Sequence, residues 1–137
     1  MENLGEMPNI EVGDVLDGKY KITGILGSGS MGVVYEALHT RLQRKVALKT
    51  LRVEYSTNTR LIDRFEREAR ASSAIGHPNI IQIFDAGGET EGVAYLAMER
   101  LQGQSLGDLL REKKVLETSR AIGICCSCWR ASLPLTP

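Results

Sequence analysis

The sequence predicts an α+β lobe in which one main helix covers one face of a five-stranded antiparallel sheet. Three observations predict it. Three short runs rich in β-branched or aromatic residues come first, separated by glycine-rich or polar turns. A stretch of helical periodicity follows, and two further strand-like runs come after it, so the order is βββαββ.

The elements follow in chain order. Residues 1–14 mix Gly, Pro, Asn and acids without periodicity and read as a loosely held leader. Strands are expected over 20–25, 33–38 and 45–51, and the helix over 60–75, where Gly76-His77-Pro78-Asn79 stops it because proline cannot continue a helix. Strands over 80–84 and 93–98, joined through Gly87-Gly88-Glu89, complete a lobe spanning residues 15–101. Residues 102–124 then form a hinge and an incomplete start of further helices. Gly103 makes the break, Ser105 caps a short helix over 105–114 with Asp108 three residues on, and a second helix begins near Thr118. From Cys125 the chain reads CCSCWRASLPLTP, with two prolines and no helical period, so residues 125–137 are expected to be an aberrant, disordered tail.

Composition narrows the function classes. Seventeen Lys and Arg balance seventeen Asp and Glu, so no net field draws the chain to nucleic acid or anionic lipid. No apolar run approaches the roughly 18 residues of a membrane helix, and Met1-Glu2-Asn3 does not begin a signal peptide; a cytoplasmic location is expected. The cysteines Cys125, Cys126 and Cys128 sit together, which is no disulfide framework and lacks the fourth ligand of structural zinc; free thiols are expected. The basic runs 41–45 and 111–114 read as solvated surface.

Three patterns carry chemistry. Gly27-Ser28-Gly29-Ser30-Met31-Gly32 matches GxGxxG but runs into the strand-like Val33-Val34-Tyr35-Glu36-Ala37. A dinucleotide-binding loop would open a helix, and a Walker A loop would carry Gly-Lys-Ser/Thr; neither fits. A glycine-rich hairpin over phosphates, or a plain hairpin turn, remains. In Val46-Ala47-Leu48-Lys49, strand alternation sets Ala47 and Lys49 on one face, which suits an adenine roof beside a phosphate-binding ammonium, or an edge lysine in solvent. On the helix, Leu61, Phe65, Glu68, Ser72 and Ile75 fall within roughly 40° of one axis, placing Glu68 in the apolar stripe. A carboxylate there calls for a cation, with Lys49 the nearest choice, unless it snorkels to water.

These residues resemble the protein kinase family. The loop matches GxGxxGxV through Gly27, Gly29, Gly32 and Val34, VALK supplies Lys49, and Arg67-Glu68-Ala69 supplies the helix glutamate, all in the family's order. LGSGSMGVVYEA, HPNII and YLAMERLQG look like bacterial-type, eukaryotic-like serine/threonine kinases, and the resemblance covers about residues 14–121. It implies ATP held by Leu26, Gly27, Ser28, Gly29, Ser30, Met31, Gly32, Val34 and Ala47, with Met98 as gatekeeper and the backbone of Glu99 and Leu101 at the hinge. It further implies Lys49 on the α- and β-phosphates, paired with Glu68 in the active arrangement.

The family's HRDxxxxN loop and DFG aspartate do not occur in these 137 residues, so the Mg2+ ligands and the catalytic base are expected in a second lobe, and the chain alone is expected to be inactive. His39 and His77 are followed by Thr-Arg and Pro-Asn, and Phe84-Asp85-Ala86-Gly87 precedes the hinge strand, where it closes a strand rather than binding metal. The loss of helical period near Ile124 motivates a frameshifted or fragmented gene. The rival expectation is a non-catalytic interaction module that self-associates or docks through this lobe. A protein substrate is implied only for the complete enzyme.

Overall fold

The computed structural model describes residues 10–29, 32–51, 59–88 and 93–132. Among the described residues one antiparallel sheet holds six strands in the order β1-β2-β3-β4-β6-β5. They are β1 (Val15–Leu16), β2 (Tyr20–Ser28), β3 (Gly32–His39), β4 (Arg44–Leu51), β5 (Ile83–Gly87) and β6 (Tyr95–Glu99). Helix α1 (Thr59–Ile75) lies between β4 and β5, and α2 (Leu106–Lys113) and α3 (Thr118–Ser132) follow the sheet. The sixth strand is β1, whose two residues pair Val15 with Lys21 and Leu16 with Tyr20; so short a strand has no alternation to reveal it.

Period-2 alternation divides β3, β4 and β6 between two cores. Val33, Tyr35, Ala37, Val46, Leu48, Tyr95 and Ala97 point to one face and pack with Leu16, Tyr20 and Ile22. Leu51 and Leu96 point to the other and pack under Phe65 and Ala69 of α1, with Ile62, Ile83 and Met98 at the margin. On α1 the described members of this core are Phe65 and Ala69, with Ile62 partly buried beside them; the Leu61 and Glu68 side chains lie outside the described residues. Register shifts between Ile22 and Gly24 and between Ile25 and Gly27 bend β2.

The bent sheet brings its two ends together. Tyr20 and Tyr95 meet edge to face with centroids 5.5 Å apart. The Tyr20 hydroxyl donates to Asp85 Oδ2 at 3.0 Å, and the Tyr95 hydroxyl donates to Asp17 Oδ2 at 2.8 Å. Lys19 Nζ lies 3.3 Å from Asp17 and 3.4 Å from Asp85, joining both carboxylates. Burial, and then the partner carboxylates, push both tyrosines well above their ordinary pKa.

Three expectations are corrected. Strand β5 begins at Ile83, not at 80, because the turn after α1 continues through Ile80, whose N–H donates to the His77 carbonyl. Residues 10–14 are tied down: Gly13 N donates to Ile22 O at 2.9 Å and Ile22 N to Asp14 O at 2.8 Å, while Ile10 packs on the core; residues 1–9 lie outside the described residues. Helix α3 runs to Ser132, straight through the cysteines, because Cys, Ser, Trp, Arg and Ala do not break a helix and the first proline beyond them is Pro134. Residues 133–137 lie outside the described residues. Asn79 Nδ2 donates to Ser127 O at 3.0 Å, fastening α3 to the turn after α1. The expected cap of α2 is present, Ser105 Oγ accepting from Asp108 N at 3.1 Å.

Candidate functional site

The strands bring the candidate residues into two adjacent rows. Gly27 opposes Val34, Val34 opposes Lys49, and Lys49 opposes Leu96. Two pairs further along β4, Glu36 opposes Ala47 and Ala47 opposes Met98. Since i and i+2 share a face, Val34, Ala47, Lys49 and Met98 look out on the same side as α1. Ala47 is buried and Lys49 half-buried, with its ammonium 5.7 Å from the centroid of the Phe65 ring. The Glu68 side chain is outside the described residues, as are Ser30 and Met31.

The three loop glycines have different reasons to lack a side chain. A Cβ at Gly32 would lie 1.8 Å from the Thr50 carbonyl oxygen, so Gly32 is required by the packing of β3 on β4. A Cβ at Gly27 or Gly29 would meet nothing within 4 Å, so those positions border open space. The loop is closed by Gly29 N donating to Gly32 O at 2.9 Å, and Ser28 pairs with Val33. Leu26, 41% exposed, sits at the bulge between the Ile25 and Gly27 pairs.

At the far end of the second row, Glu99 is the last residue of β6 and donates its N–H to Gln82 O at 2.9 Å; Leu101, exposed, follows outside any ladder. Here the structure shows two residues that sequence reasoning missed, Glu36 and Arg100. Glu36 lies on the Ala47 face, where Arg100 Nε donates to its Oε2 at 3.1 Å and Lys45 Nζ lies 3.3 Å from its Oε1. Arg100 foremost, then Lys45, holds the Glu36 carboxyl below the ordinary carboxylate range. The one available signal was a glutamate inside the apolar run of β3.

Asp85 does not join the site. Its Oδ2 takes the Tyr20 and Lys19 bonds and its Oδ1 accepts from Ala86 N at 3.0 Å, all on the other side of the sheet. Cys125, Cys126 and Cys128 are exposed on α3, and no disulfide joins them. Among the described residues no three His, Cys, Asp or Glu side chains come together as a metal site, and no helix is long and apolar enough to cross a membrane.

Comparison with known proteins agrees with this geometry. The protein kinase domain profile matches residues 20–131. The chain is 36% identical over 113 residues to the serine/threonine-protein kinase PrkC of Bacillus subtilis, covering 82% of this chain and 17% of that protein. It is 37% identical over 115 residues to PknA of Mycobacterium tuberculosis, covering 81% and 27%. The crystal structure of the M. tuberculosis PknI kinase domain superposes with a TM-score of 0.77 at 25% identity, covering 90% of this chain and 51% of that one. The chain thus spans a minor part of these full-length relatives and about half of a solved kinase domain. With its glycine hairpin, VALK strand lysine and curled antiparallel sheet under one main helix, this chain belongs to the protein kinase family, among relatives that are bacterial serine/threonine kinases.

Proposed function

We propose that this lobe binds ATP between the glycine hairpin and the hinge, as the nucleotide-holding part of a serine/threonine kinase that transfers the γ-phosphoryl group to a protein hydroxyl. The observation that carries the reading is the row Gly27–Val34–Lys49, with open space at Gly27 and Gly29 above a half-buried ammonium. A polyphosphate fits such a place, because bare backbone can approach it and a lysine of fixed direction can neutralise it. Val34 and Ala47 supply apolar surface for a base, Met98 backs it, and Glu99 and Leu101 supply main-chain polar groups at its edge. Lys49 orients the phosphates, with Glu68 as its partner on α1. Bound ATP and Mg2+ supply the phosphoryl group and its charge neutralisation, but no residues described here suit the metal.

Since these 137 residues contain neither the base aspartate nor the metal aspartate of the family, the chain alone holds the nucleotide without turning it over. A melt tests this. Mg-ATP at about a hundredfold over its dissociation constant should raise stability by about 2.7 kcal/mol. The midpoint should then rise by about 9 °C, and Lys49→Ala should abolish the rise. A cooperative melt with no shift in the wild type would overturn ATP binding by this chain.

A further inference from the structure

We propose that Glu36 and Arg100 form a positioning pair that fixes the hinge of the nucleotide site against strand β3. The proposal rests on the ATP reading for its consequence, but not for its geometry. Residues 100–104 lie between β6 and α2 and belong to neither, so the ladder that aligns Glu99 does not reach Leu101. Side-chain bonds must then set the direction of the backbone.

Arg100 is placed to do this from two edges of one planar group. Its Nε donates to Glu36 Oε2 at 3.1 Å, and its Nη1 donates to the carbonyl of the adjacent Leu101. Glu36 is itself held from the other side, its Oε1 accepting from Thr23 Oγ1 at 3.2 Å and from Lys45 Nζ at 3.3 Å. The side chains of the pair are 21% and 32% exposed, against 66% for Lys45, so the Arg100 bond is the better shielded of the two ion pairs. A guanidinium can serve a carboxylate and a main-chain carbonyl at once in a fixed plane, whereas an ammonium is a point charge on a flexible stem.

Glu36 is Cα partner to Ala47, and Ala47 to Met98, so the anchor stands in the row that leads to the hinge. Two consequences follow for a nucleotide. The Leu101 carbonyl is engaged by Arg100, and in the ATP reading the Leu101 N–H and the Glu99 carbonyl are the groups that meet a base. Adenine offers the matching acceptor and donor, while guanine presents them reversed. The pair therefore acts on the choice of base, through backbone it holds in place, and touches no phosphate.

The test uses the full chain with Glu36→Gln, Arg100→Gln, the double variant, and Lys45→Gln as a control that severs only the solvent-side partner. Amide exchange over residues 100–103 is measured without ligand, and dissociation constants for ATP and GTP by fluorescence competition. Exchange should quicken about tenfold in both single variants and no further in the double, with the global melting midpoint nearly unchanged. ATP binding should weaken about threefold to tenfold, GTP binding less, and Lys45→Gln should do little. Unchanged exchange at 100–103 in both variants, or equal loosening by Lys45→Gln, overturns the pair. Wild-type protein that binds no ATP refutes the ATP reading, yet the exchange arm still decides the anchor. Should Arg100→Gln fail to fold, Arg100→Lys keeps the charge and loses the fork; hinge exchange as slow as wild type in that variant would also overturn the proposal.

Discussion

The strands β3, β4 and β6 and the helices α2 and α3 are built to opposite standards. In the strands, Ala37, Leu48 and Ala97 have no accessible surface, and even the polar Thr50 is fully enclosed, with its hydroxyl donating to Val33 O at 3.2 Å. Along the helices Leu109 and Ala131 are buried, each 7% exposed, while Leu106, Leu110, Ile122 and Trp129 stand in solvent, as does Val115 between the two. The sheet, with α1 packed on one face, thus carries a core on each side and can hold the candidate site rigid without α2 or α3. The helices are attached through few side chains and through Asn79 on Ser127 O. Burial on this scale predicts that stability is concentrated in the strands, and substitutions can break that contrast or sharpen it.

The largest loss is expected from Gly32→Ala. The new methyl would sit 1.8 Å from the Thr50 carbonyl oxygen, and backbone cannot swing aside as a flexible side chain can. About 4 kcal/mol or more should be lost, enough to unfold a marginal domain. Gly27→Ala and Gly29→Ala meet open space and should leave the fold intact while weakening nucleotide binding. A urea titration that ranks the three alike would refute the distinction. Leu48→Ala comes next, at about 3 kcal/mol, because a fully enclosed leucine leaves a cavity its neighbours cannot fill.

The contrast also explains what could be read from sequence. Alternation in Val46-Ala47-Leu48-Lys49 placed Lys49 and Ala47 on one face because both faces of β4 are committed, one to Tyr35 and Ala97, the other to α1. The helix over 60–75 was legible from its period, and Phe65 of the expected stripe is in the core, while Ala69 and Ile62, which pack beside it, were not singled out. β1 was illegible because two residues carry no period, and Glu36–Arg100 because the partners lie 64 residues apart and pair only when the sheet forms. At α3 two prolines suggested disorder from Cys125 onward, but a proline acts on the helix immediately before it, and the nearest is Pro134.

A smaller effect is expected where the sheet closes on itself. Tyr20 and Tyr95 have folded-state pKa values raised above the ordinary 10.0, so the folded protein keeps protons there that the unfolded chain releases. Stability from these groups is complete below pH 10 and is lost as pH rises from there through the folded values. Burial raises Tyr35 as well and adds to the same alkaline loss. Tyr20→Phe and Tyr95→Phe should each cost about 1 kcal/mol at neutral pH. Each should also flatten the alkaline slope of stability measured between about pH 9 and 11. On the acid side Asp17, held low first by Tyr95 and then by Lys19, gives the opposite sign: its contribution is present above the ordinary 3.8 and lost as pH falls below it. An alkaline slope that survives both substitutions would mean that the two ends of the sheet are held by something other than these hydroxyls.

The smallest effect is expected from the largest side chain on the helices. Trp129 is 68% exposed on α3, so truncation removes little buried area, and alanine, the better helix former, offsets part of what is lost. Trp129→Ala should change unfolding stability by no more than about 0.5 kcal/mol, against the far larger cost of Leu48→Ala in the same titration. The two variants differ in burial more than in chemistry, which makes their ratio a direct reading of where the protein keeps its stability. A loss above about 1 kcal/mol for Trp129→Ala that grew with protein concentration would show the outer face of α3 covered by a second chain. The helices would then owe their order to association, whereas the sheet owes its order to its own core.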